Sequence, residues 1–434
     1  MMRKDDILEI LLEWNFWRKD IDTGIHRKEY VDRIAGMMKT EEVLVITGIR
    51  RSGKSTVATQ FCKTLIDSGV KRENVLIVNF EDPRFKNLSP ELFIKIYDTY
   101  VENLRPEGKK YILLDEIQVI EGWERFVRYL HEVKKDAVIV TGSSSKLLSS
   151  EYATVLSGRH VDTKIYPLGF SEFLKFKNVV VKDRLDLVSK KHEIASALNE
   201  YLIFGGFPRV ALLKEENLKW EILKAYFTDI IIKDVASRHR ISKLPALEDL
   251  TKYYLTNVSS LHSFDRLKKT FKVSRDTIQR FSKYLQDVYL LFFVPKFSYS
   301  LKEQTLNPKK VYCMDNGIRN AVCYRFMEEK GKLFENLVAV ELLRRGNEFY
   351  YWKDGRHEVD FVIKEGMNVT AAVQVCYNLE REETKKREMD ALARAMDDLN
   401  LSEGLVITED YEGEDKIEDK VIRFLPLWKF LLGT

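Results

Sequence analysis

The sequence is poor in the features that build disulfide frameworks, membrane spans and low-complexity segments. Its four cysteines, at positions 62, 313, 323 and 376, are scattered and form no CxxC pair. We therefore expect neither a disulfide framework nor a cysteine-ligated zinc site, and a reducing cytoplasm is the natural compartment. The longest uncharged apolar run, around residues 288–294, is far too short to cross a bilayer, so we expect no membrane association.

Neither sign of charge dominates the chain, which excludes a polyelectrolyte that binds through its whole surface. Lysine and arginine together number 71, aspartate and glutamate number 67, and the formal net charge is +4. Any surface that binds nucleic acid must therefore be local. The charged opening at residues 3–6 predicts that no signal peptide is present. A length of 434 residues is too great for one hydrophobic core and predicts two or three domains.

A glycine-rich motif is the most informative feature that is present. Residues 48–55 fit the pattern GxxxxGK[ST], follow an apolar run at 43–47 and precede a helical pattern. A strand, a glycine loop and a helix N-terminus in this order let successive backbone N–H groups surround a polyphosphate, which predicts nucleoside triphosphate binding. Lys54 would reach the outer phosphates, and the Ser55 hydroxyl would hold Mg²⁺. The predicted nucleotide-binding residues are Gly48, Arg50, Arg51, Ser52, Gly53, Lys54, Ser55 and Thr56. The lack of an Asn-Lys-x-Asp motif for guanine favours ATP.

Two adjacent acids follow a second, largely apolar run. Residues 111–114 lead into Asp115 and Glu116, as expected of a central parallel strand whose carboxyl end meets a ligand. Asp115 would hold the Mg²⁺ shell directly or through water, and Glu116 would polarise the water that attacks the γ-phosphate. The alternative is a charged strand end that faces solvent. Beside a phosphate loop, the acidic pair favours hydrolysis over binding alone.

Three further side chains are candidates for the same site. A third apolar run at 137–141 leads into Ser143 and Ser144, whose hydroxyls either sense the γ-phosphate or cap the next helix. Arg159 either neutralises the charge that develops in phosphoryl transfer or forms a surface ion pair. Both pairs of alternatives stay open at the level of the sequence.

The alternation of strand and helix patterns predicts an α/β protein of five segments. Residues 1–40 form an N-terminal helical extension, and residues 41–175 form a P-loop ATPase core with a parallel sheet covered on both faces. Residues 176–245 form a helical lid, 246–325 a winged helix-turn-helix, and 326–434 a restriction-endonuclease-like α/β domain.

Two short helical patterns joined by a tight turn indicate the winged helix-turn-helix. Ser274 is a good N-cap for a helix over residues 275–287, and extended stretches at 290–294 and 310–313 follow. The segment has a local surplus of basic residues, which suits contacts with DNA phosphates. The candidate DNA-binding residues are Lys268, Lys269, Lys272, Arg275, Arg280 and Lys283. The alternative is a winged module that contacts a protein partner.

The carboxyl-terminal segment has the element order of a restriction-endonuclease core. In that core an acid on the first helix, an aspartate on one strand and an acid-x-lysine on the next gather Mg²⁺ and activate water. Glu335 and Asp360 stand in the first two places, but the third is Gln374, with a cysteine where the lysine should be. Cysteine cannot stabilise the nucleophile, and Lys364 would have to substitute from the preceding strand. A vestigial nuclease site is therefore favoured over an active one.

Taken together, these motifs resemble a family of prokaryotic ATPases, abundant in archaea, that join an AAA-like core, a winged helix and a C-terminal DUF4143 nuclease-like domain of the PD-(D/E)XK type. The resemblance covers nearly the whole chain. It is carried by residues 14–17, 48–55, 114–118, 141–146, 156–159, 166–168, 201–208, 315–317, 358–360 and 425–428. It implies an ASCE, AAA-like core, ATP as substrate, Mg²⁺ as cofactor and Arg159 as the arginine at the γ-phosphate. The departure at Cys376 counts against nuclease activity.

Three hypotheses about function follow. The first is an ATPase that couples hydrolysis to a conformational change acting on DNA through the winged helix. The second is a nucleotide-gated switch, or a toxin–antitoxin-like defence component, that binds a protein partner. The third is a Mg²⁺-dependent nuclease licensed by ATP. The sequence leaves open whether the chain works alone or as a homo-oligomer with an arginine acting across subunits.

Overall fold

The computed structural model describes residues 2–143, 158–323, 330–379 and 382–433. The chain divides into two compact units, Met1–Tyr166 and Pro167–Thr434. The first unit holds the predicted N-terminal extension and most of the predicted ATPase core. The predicted lid, winged-helix and carboxyl-terminal segments all lie in the second unit. Ser144, one of the two candidate sensor residues, lies outside the described residues.

A parallel five-stranded sheet forms the centre of the first unit as far as it is described. Its strands are β1 (Val43–Thr47), β2 (Val75–Asn79), β3 (Tyr111–Asp115), β4 (Ala137–Thr141) and β5 (His160–Lys164). They pair in the order β2-β3-β4-β1-β5. Strands β1 and β4 are buried along their whole length, as expected of central parallel strands with both faces covered. The predicted α/β class with a parallel sheet is confirmed.

Helices cover both faces of this sheet. They are α1 (Lys4–Trp14), α2 (Lys28–Met37), α3 (Lys54–Asp67), α4 (Pro90–Leu104) and α5 (Trp123–Glu132), with 3₁₀ turns at Met38–Thr40, Arg72–Asn74 and Ile117–Val119. Val43 and Val45 of β1 pack in the same core as α1, α4 and α5, whereas Leu44 and Ile46 pack with α2 and α3. This division follows because successive side chains of a strand point to opposite faces. The N-terminal helices are therefore part of the core of the first unit.

The segment after α1 protects the edge strand β2. The Ile77 N–H donates to Asn15 Oδ1 at 2.7 Å, and Asn15 Nδ2 donates to the Ile77 carbonyl at 2.8 Å. Trp17 Nε1 donates to the Val75 carbonyl at 2.8 Å. These side chains satisfy backbone groups that a neighbouring strand would otherwise pair, which keeps the edge from joining another sheet.

Helices dominate the first part of the second unit. They are α6 (Phe170–Phe176), α7 (Arg184–Ser189), α8 (Lys191–Phe204), α9 (Pro208–Leu212) and α10 (Glu216–Asp229), which continues as a π-helix at Ile230–Ser237. The predicted ATPase core, residues 41–175, includes most of α6, and α6 lies in the second compact unit. The reason is its packing, because the Phe170 and Phe173 rings lie 5.6 and 5.1 Å from the Tyr201 ring of α8.

A small antiparallel sheet with its own helices follows. The elements are α11 (Leu244–Thr256), β6 (Ser260–His262), α12 (Phe264–Phe271), α13 (Arg275–Asp287), β7 (Leu291–Val294), α14 (Leu301–Leu306), β8 (Lys309–Cys313) and α15 (Asn316–Val322). The three strands pair in the order β6-β8-β7. Ser274 caps α13, since its side chain accepts a hydrogen bond from the Thr277 N–H at 3.1 Å. The predicted helix over residues 275–287 is confirmed.

A mixed sheet forms the carboxyl-terminal part of the second unit. Its elements are α16 (Lys330–Arg344), β9 (Glu348–Asp354), β10 (His357–Glu365), β11 (Asn368–Val375), α17 (Glu382–Asp398), β12 (Glu403–Thr408), β13 (Gly413–Ile417), β14 (Lys420–Pro426) and α18 (Leu427–Leu432). The strand order is β13-β14-β12-β11-β10-β9. The segment after β7 joins the outer strand, because the Phe297 N–H donates to the Tyr351 carbonyl at 2.7 Å. Within the described ranges, no helix combines the length and apolar character that a membrane crossing requires.

Candidate active site

The loop after β1 has the backbone geometry that its two glycines predict. Gly48 has a φ of +143° and Gly53 a φ of +98°, values that favour glycine. A Cβ placed on Gly48 would lie 2.2 Å from the Ile165 carbonyl oxygen, so a side chain there would displace the loop. Helix α3 begins at Lys54, and its first N–H groups have no partner within the helix. They are available to an anion held in the loop.

Lys54 lies inside the loop rather than in solvent. Its side chain is 4% exposed, and Nζ lies 3.3 Å from the Ile49 carbonyl oxygen and 3.7 Å from Glu116 Oε1. The ammonium therefore stands between the loop and the acidic pair at the end of β3. This is where a cation that contacts the outer phosphates is required.

The side chains of Ser55 and Asp115 meet, although 60 positions separate them in the sequence. Ser55 Oγ donates to Asp115 Oδ1 at 2.9 Å, and the Thr141 hydroxyl donates to the same oxygen. The Glu116 N–H in turn donates to Thr141 Oγ1 at 3.1 Å. Strand β4 lies between β1 and β3, so Thr141 is placed to orient both acids of the pair.

The chemistry of Ser55 and Asp115 fits a magnesium ion that arrives with a nucleotide. Mg²⁺ prefers oxygen ligands and takes most of them from water and phosphate, so that one or two protein oxygens suffice. Burial, together with the Glu116 carboxylate, raises the pKa of Asp115 to about 6. A carboxylate held in this way gains from a nearby cation, because a positive charge favours its ionised form. We therefore assign Ser55 and Asp115 as the residues that would hold Mg²⁺.

Glu116 is buried at the same edge with its carboxylate beside two donors. Gln118 Nε2 donates to Glu116 Oε2 at 2.5 Å, and Lys54 Nζ lies near the other oxygen. Burial opposes ionisation of Glu116, but the Lys54 ammonium and the Gln118 amide outweigh it, and its pKa lies below the ordinary value. Glu116 is therefore a carboxylate at neutral pH, as a group that accepts a proton from water must be.

The remaining predicted loop residues differ in their surroundings. Arg50 Nη2 lies 3.1 Å from Glu81 Oε1, whereas Arg51 and Thr56 are exposed. Ser52 and Ser143 are buried, and their hydroxyls have no hydrogen-bond partner among the described residues. The Ser143 N–H contributes to lowering the pKa of Glu116, so Ser143 lies beside the acidic pair, as the sensor alternative requires.

Arg159 does not reach this site. It immediately precedes β5, and its carbonyl accepts a hydrogen bond from the Val43 N–H at the start of β1. The phosphate loop follows the other end of β1, roughly 13 Å away at 3.3 Å per residue. Arg159 Nε instead lies 2.9 Å from Glu132 Oε1. The prediction that Arg159 serves the nucleotide of its own loop is not supported, and its contact is the alternative, an ion pair.

Arg27 supports the phosphate loop and was missed by the sequence analysis. Its side chain is buried, with Nη1 donating to the Ser52 carbonyl at 2.8 Å and Nη2 to the Tyr166 carbonyl at 3.0 Å. Its N–H donates to Gln60 Oε1 of α3 at 3.0 Å. A single arginine outside any motif carries no signal in the sequence, since its partners are backbone carbonyls of distant segments.

Replacing Arg27 with alanine should loosen the loop and weaken nucleotide binding. The change leaves the buried Ser52 and Tyr166 carbonyls without this donor, at a cost of about 1–3 kcal/mol for each unsatisfied group. We expect a lower melting temperature and a roughly tenfold or greater rise in the Kd for Mg²⁺–ATP, measured by thermal unfolding and calorimetry. Arg33, exposed on α2, is the matched control. An R27A protein with the affinity and stability of R33A would contradict the assignment.

The six candidate DNA-binding residues share one property in the second unit, since all are exposed. They are Lys268, Lys269, Lys272, Arg275, Arg280 and Lys283. Arg275 Nε lies 3.7 Å from Asp265 Oδ1. Across the described part of the chain, the other five form no ion pair, so most of their charge is not neutralised by protein groups.

The three residues of the predicted nuclease site also come together, but with an unforeseen partner. Asp360 Oδ1 accepts a hydrogen bond from Lys310 Nζ at 2.8 Å. The same Nζ also lies 3.1 Å from Glu335 Oε1. The Asp360 N–H donates to Gln374 Oε1 at 3.1 Å. Burial and Asp360 raise the pKa of Glu335 despite Lys310. Lys364 cannot replace the missing lysine, because it lies 3.3 Å from Glu348 at the far end of β10.

Known protein families match three parts of the chain. Residues 40–174 match the family described as AAA domain, residues 195–329 a domain of unknown function, DUF8612, and residues 330–430 a domain of unknown function, DUF4143. The AAA match coincides with the segment that forms the parallel sheet and the phosphate loop. The chain therefore carries an AAA-type P-loop ATPase fold at this end.

Two relatives are similar over most of their length. The Methanocaldococcus jannaschii protein MJ1544 is 39% identical over 406 residues, which cover 90% of this chain and 88% of the relative. This chain belongs to the MJ1544 family. A Haemophilus influenzae protein is 30% identical over 411 residues, 93% of this chain and 98% of the relative. Among solved structures, the Walker-type ATPase PABY2304 of Pyrococcus abyssi matches 70% of this chain and 99% of its own, at 14% identity and a TM-score of 0.44.

Proposed function

We propose that this protein is a Mg²⁺-dependent ATPase that couples hydrolysis to a conformational change. The observation that carries the proposal is the convergence of Lys54, Ser55, Asp115 and Glu116 at the carboxyl edge of the parallel sheet. These residues supply a cation for the outer phosphates, two oxygens for Mg²⁺ and a carboxylate for the attacking water. Phosphoryl transfer depends mainly on such positioning and charge stabilisation.

The pairing of Lys54 with Glu116 gives the site a way to respond to its substrate. Without nucleotide, the Lys54 ammonium is the cation closest to Glu116 and favours its ionised form. A triphosphate in the loop carries more negative charge than the Glu116 carboxylate and therefore competes with it for the Lys54 ammonium. Glu116 then loses part of its stabilisation and becomes a better proton acceptor for the water aligned with the γ-phosphate. The Thr141 hydroxyl holds Asp115 while this exchange occurs.

The test is phosphate release from ATP by the purified protein, with Mg²⁺ and with EDTA. We expect turnover that requires Mg²⁺ and that Asp115→Asn abolishes at any practical Mg²⁺ concentration. GTP in place of ATP measures the preference for the base. Calorimetry with Mg²⁺ and any common nucleotide that registered no heat of association would overturn the proposal.

We also propose that the elements at residues 246–325 form a winged helix-turn-helix that binds DNA. The conformational change would act on DNA through this module. Their order, helix–strand–helix–helix–strand–strand with the short helix α14 between the last two strands, supports this interpretation. Helix α13 buries Ile278, Phe281 and Leu285 on one side. Its opposite side exposes residues that suit phosphates and base edges, namely Gln279, Arg280, Lys283 and Gln286.

Replacing Arg275, Arg280 and Lys283 together with alanine should flatten the salt dependence of DNA affinity. The slope of log K against log salt should fall by roughly 0.9 for each phosphate contact that is lost. The measurement is duplex binding by fluorescence anisotropy across a series of salt concentrations. A control variant with the same charge change replaces the exposed Lys191, Lys214 and Lys416.

The DNA proposal also predicts that DNA alters ATP turnover. Rates measured with single-stranded, duplex and branched DNA should differ from the rate of the protein alone. If none of the three changes the rate and the triple variant binds DNA as the control does, the DNA proposal fails. The same winged module would then have a protein as its partner.

A further inference from the structure

Three carboxylates of the second unit converge on one lysine ammonium. Lys310 Nζ lies 2.8 Å from Asp360 Oδ1, 3.0 Å from Glu358 Oε1 and 3.1 Å from Glu335 Oε1. The Lys310 residue is 1% exposed. Across the described ranges, Lys310 is the sole cationic side chain paired with Glu335 or Asp360. We call Glu335, Glu358 and Asp360 the acid cluster.

The ammonium has the position and the hydrogen bonds of a bound cation. A lysine ammonium has three N–H donors, and the acid cluster offers it three oxygens. A divalent cation held by the same oxygens would need them at about 2.0–2.6 Å, which requires the centre that the Lys310 nitrogen occupies. Two positive charges cannot share that centre in a buried site, because their repulsion is only weakly screened there. The lysine and a metal ion therefore exclude one another.

Lys310 is held in this place by its own strand. It belongs to β8, the middle strand of the small antiparallel sheet. Two residues further on, Tyr312 donates from its hydroxyl to Glu335 Oε1 at 2.7 Å. The Cys313 N–H donates to Asn336 Oδ1 at 2.8 Å, and Asn336 Nδ2 donates back to the Cys313 carbonyl at 2.8 Å. These contacts hold β8 against α16 and so keep the base of the Lys310 side chain beside the acid cluster.

We propose that Lys310 is a built-in counter-ion that closes the acid cluster to divalent cations. The cluster holds no metal while the lysine is present, and it becomes a divalent-cation site when the lysine is removed. Lys310 belongs to the small antiparallel sheet, and its ion pairs with Glu358 and Asp360 also connect that sheet to the carboxyl-terminal sheet. This inference does not depend on ATP hydrolysis, because none of its residues belongs to the phosphate-loop site.

The test is Mn²⁺ binding by the nucleotide-free, full-length protein, followed by the loss of the electron paramagnetic resonance signal of the free ion. Every variant carries Asp115→Asn, which removes the candidate metal ligand of the first unit. We expect the background protein to bind no Mn²⁺ at the acid cluster and the added Lys310→Met to create a site for one ion per chain. Adding Asp360→Asn to Lys310→Met should abolish that site. Mn²⁺ should raise the melting temperature of the Lys310→Met protein but leave that of the background protein unchanged.

Lys353 supplies a matched control, because its Nζ lies 2.8 Å from the other carboxylate oxygen of Glu358 and is more exposed. Lys353→Met should create no Mn²⁺ site. If Lys310→Met does not fold, the double variant Lys310→Met/Glu335→Gln removes one unpaired acid and leaves Glu358 and Asp360 as ligands. Mn²⁺ bound by the background protein and lost on Asp360→Asn would overturn the proposal. So would a folded Lys310 variant that binds no Mn²⁺ at this cluster.

Discussion

Lys54→Ala is expected to abolish ATP turnover and to weaken the binding of Mg²⁺–ATP by at least about tenfold, or roughly 1.4 kcal/mol. The Lys54 side chain is almost fully buried, its Nζ lies 3.7 Å from Glu116 Oε1, and its charge lowers the pKa of Glu116 more than that of Arg50 does. Its removal leaves the charge on the outer phosphates without its nearest compensating group. It also removes the largest of the interactions that lower the pKa of Glu116, so that pKa should rise in the nucleotide-free variant.

Calorimetry with Mg²⁺–ATP and a phosphate-release assay measure the two effects separately. Lys63 is the matched control, since it lies on the same helix, α3, and pairs with Asp67 at the surface. Lys63→Ala should bind and hydrolyse ATP as the unaltered protein does. Circular dichroism of both variants checks that the fold is intact. A K54A protein that folds and still turns over ATP would contradict the role given to Lys54.

Glu116→Gln is expected to keep nucleotide binding and slow hydrolysis by about 10²–10⁴-fold. Glutamine has the same shape and retains an oxygen toward Gln118, so the buried cavity is still filled. It cannot accept a proton from water, and that loss appears in the transition state but not in the ground state. We therefore expect an unchanged Kd for Mg²⁺–ATP with a reduced kcat.

The control for this substitution is Glu121→Gln, because Glu121 is exposed and follows the acidic pair by only a few residues. Single-turnover measurements separate the chemical step from product release. Comparable kcat values for E116Q and the control would show that another group activates the water. Retention of binding is equally decisive, since an E116Q protein that lost ATP affinity would indicate a structural role for the carboxylate.

The phosphate loop and the acidic pair were predictable because their signals are local. Residues 48–55 are consecutive and contain both positive-φ glycines together with the lysine and serine that phosphate and Mg²⁺ binding needs. Asp115 is the last residue of the largely buried strand β3, and Glu116 follows it directly. In a parallel sheet, the carboxyl ends of the strands meet at one edge, so Ser55 and Asp115 were predicted at one site, whereas their direct contact depends on the strand order β3-β4-β1.

Arg159 shows where such reasoning fails. The strand after it, β5, reads His-Val-Asp-Thr-Lys and has little of the apolar character that indicates a strand. It lies at the edge of the sheet, where one side of the strand is unpaired and polar residues are tolerated. Because the sequence did not predict β5, it could not predict at which edge of the sheet Arg159 lies. Its distance from the phosphate loop is set by the strand pairing with β1.

Local sequence patterns were enough to predict the phosphate loop, the parallel sheet around it and the acids of both candidate sites, because each signal lies within one segment. Which charges meet across segments depends on the packing of distant parts of the chain. Arg27 contacts carbonyls of the loop and of residue 166, and Lys310 reaches acids 25 and 50 positions away. A charged side chain looks the same in sequence whether it faces solvent or a buried partner, since the folded surroundings, not the neighbouring residues, supply that partner.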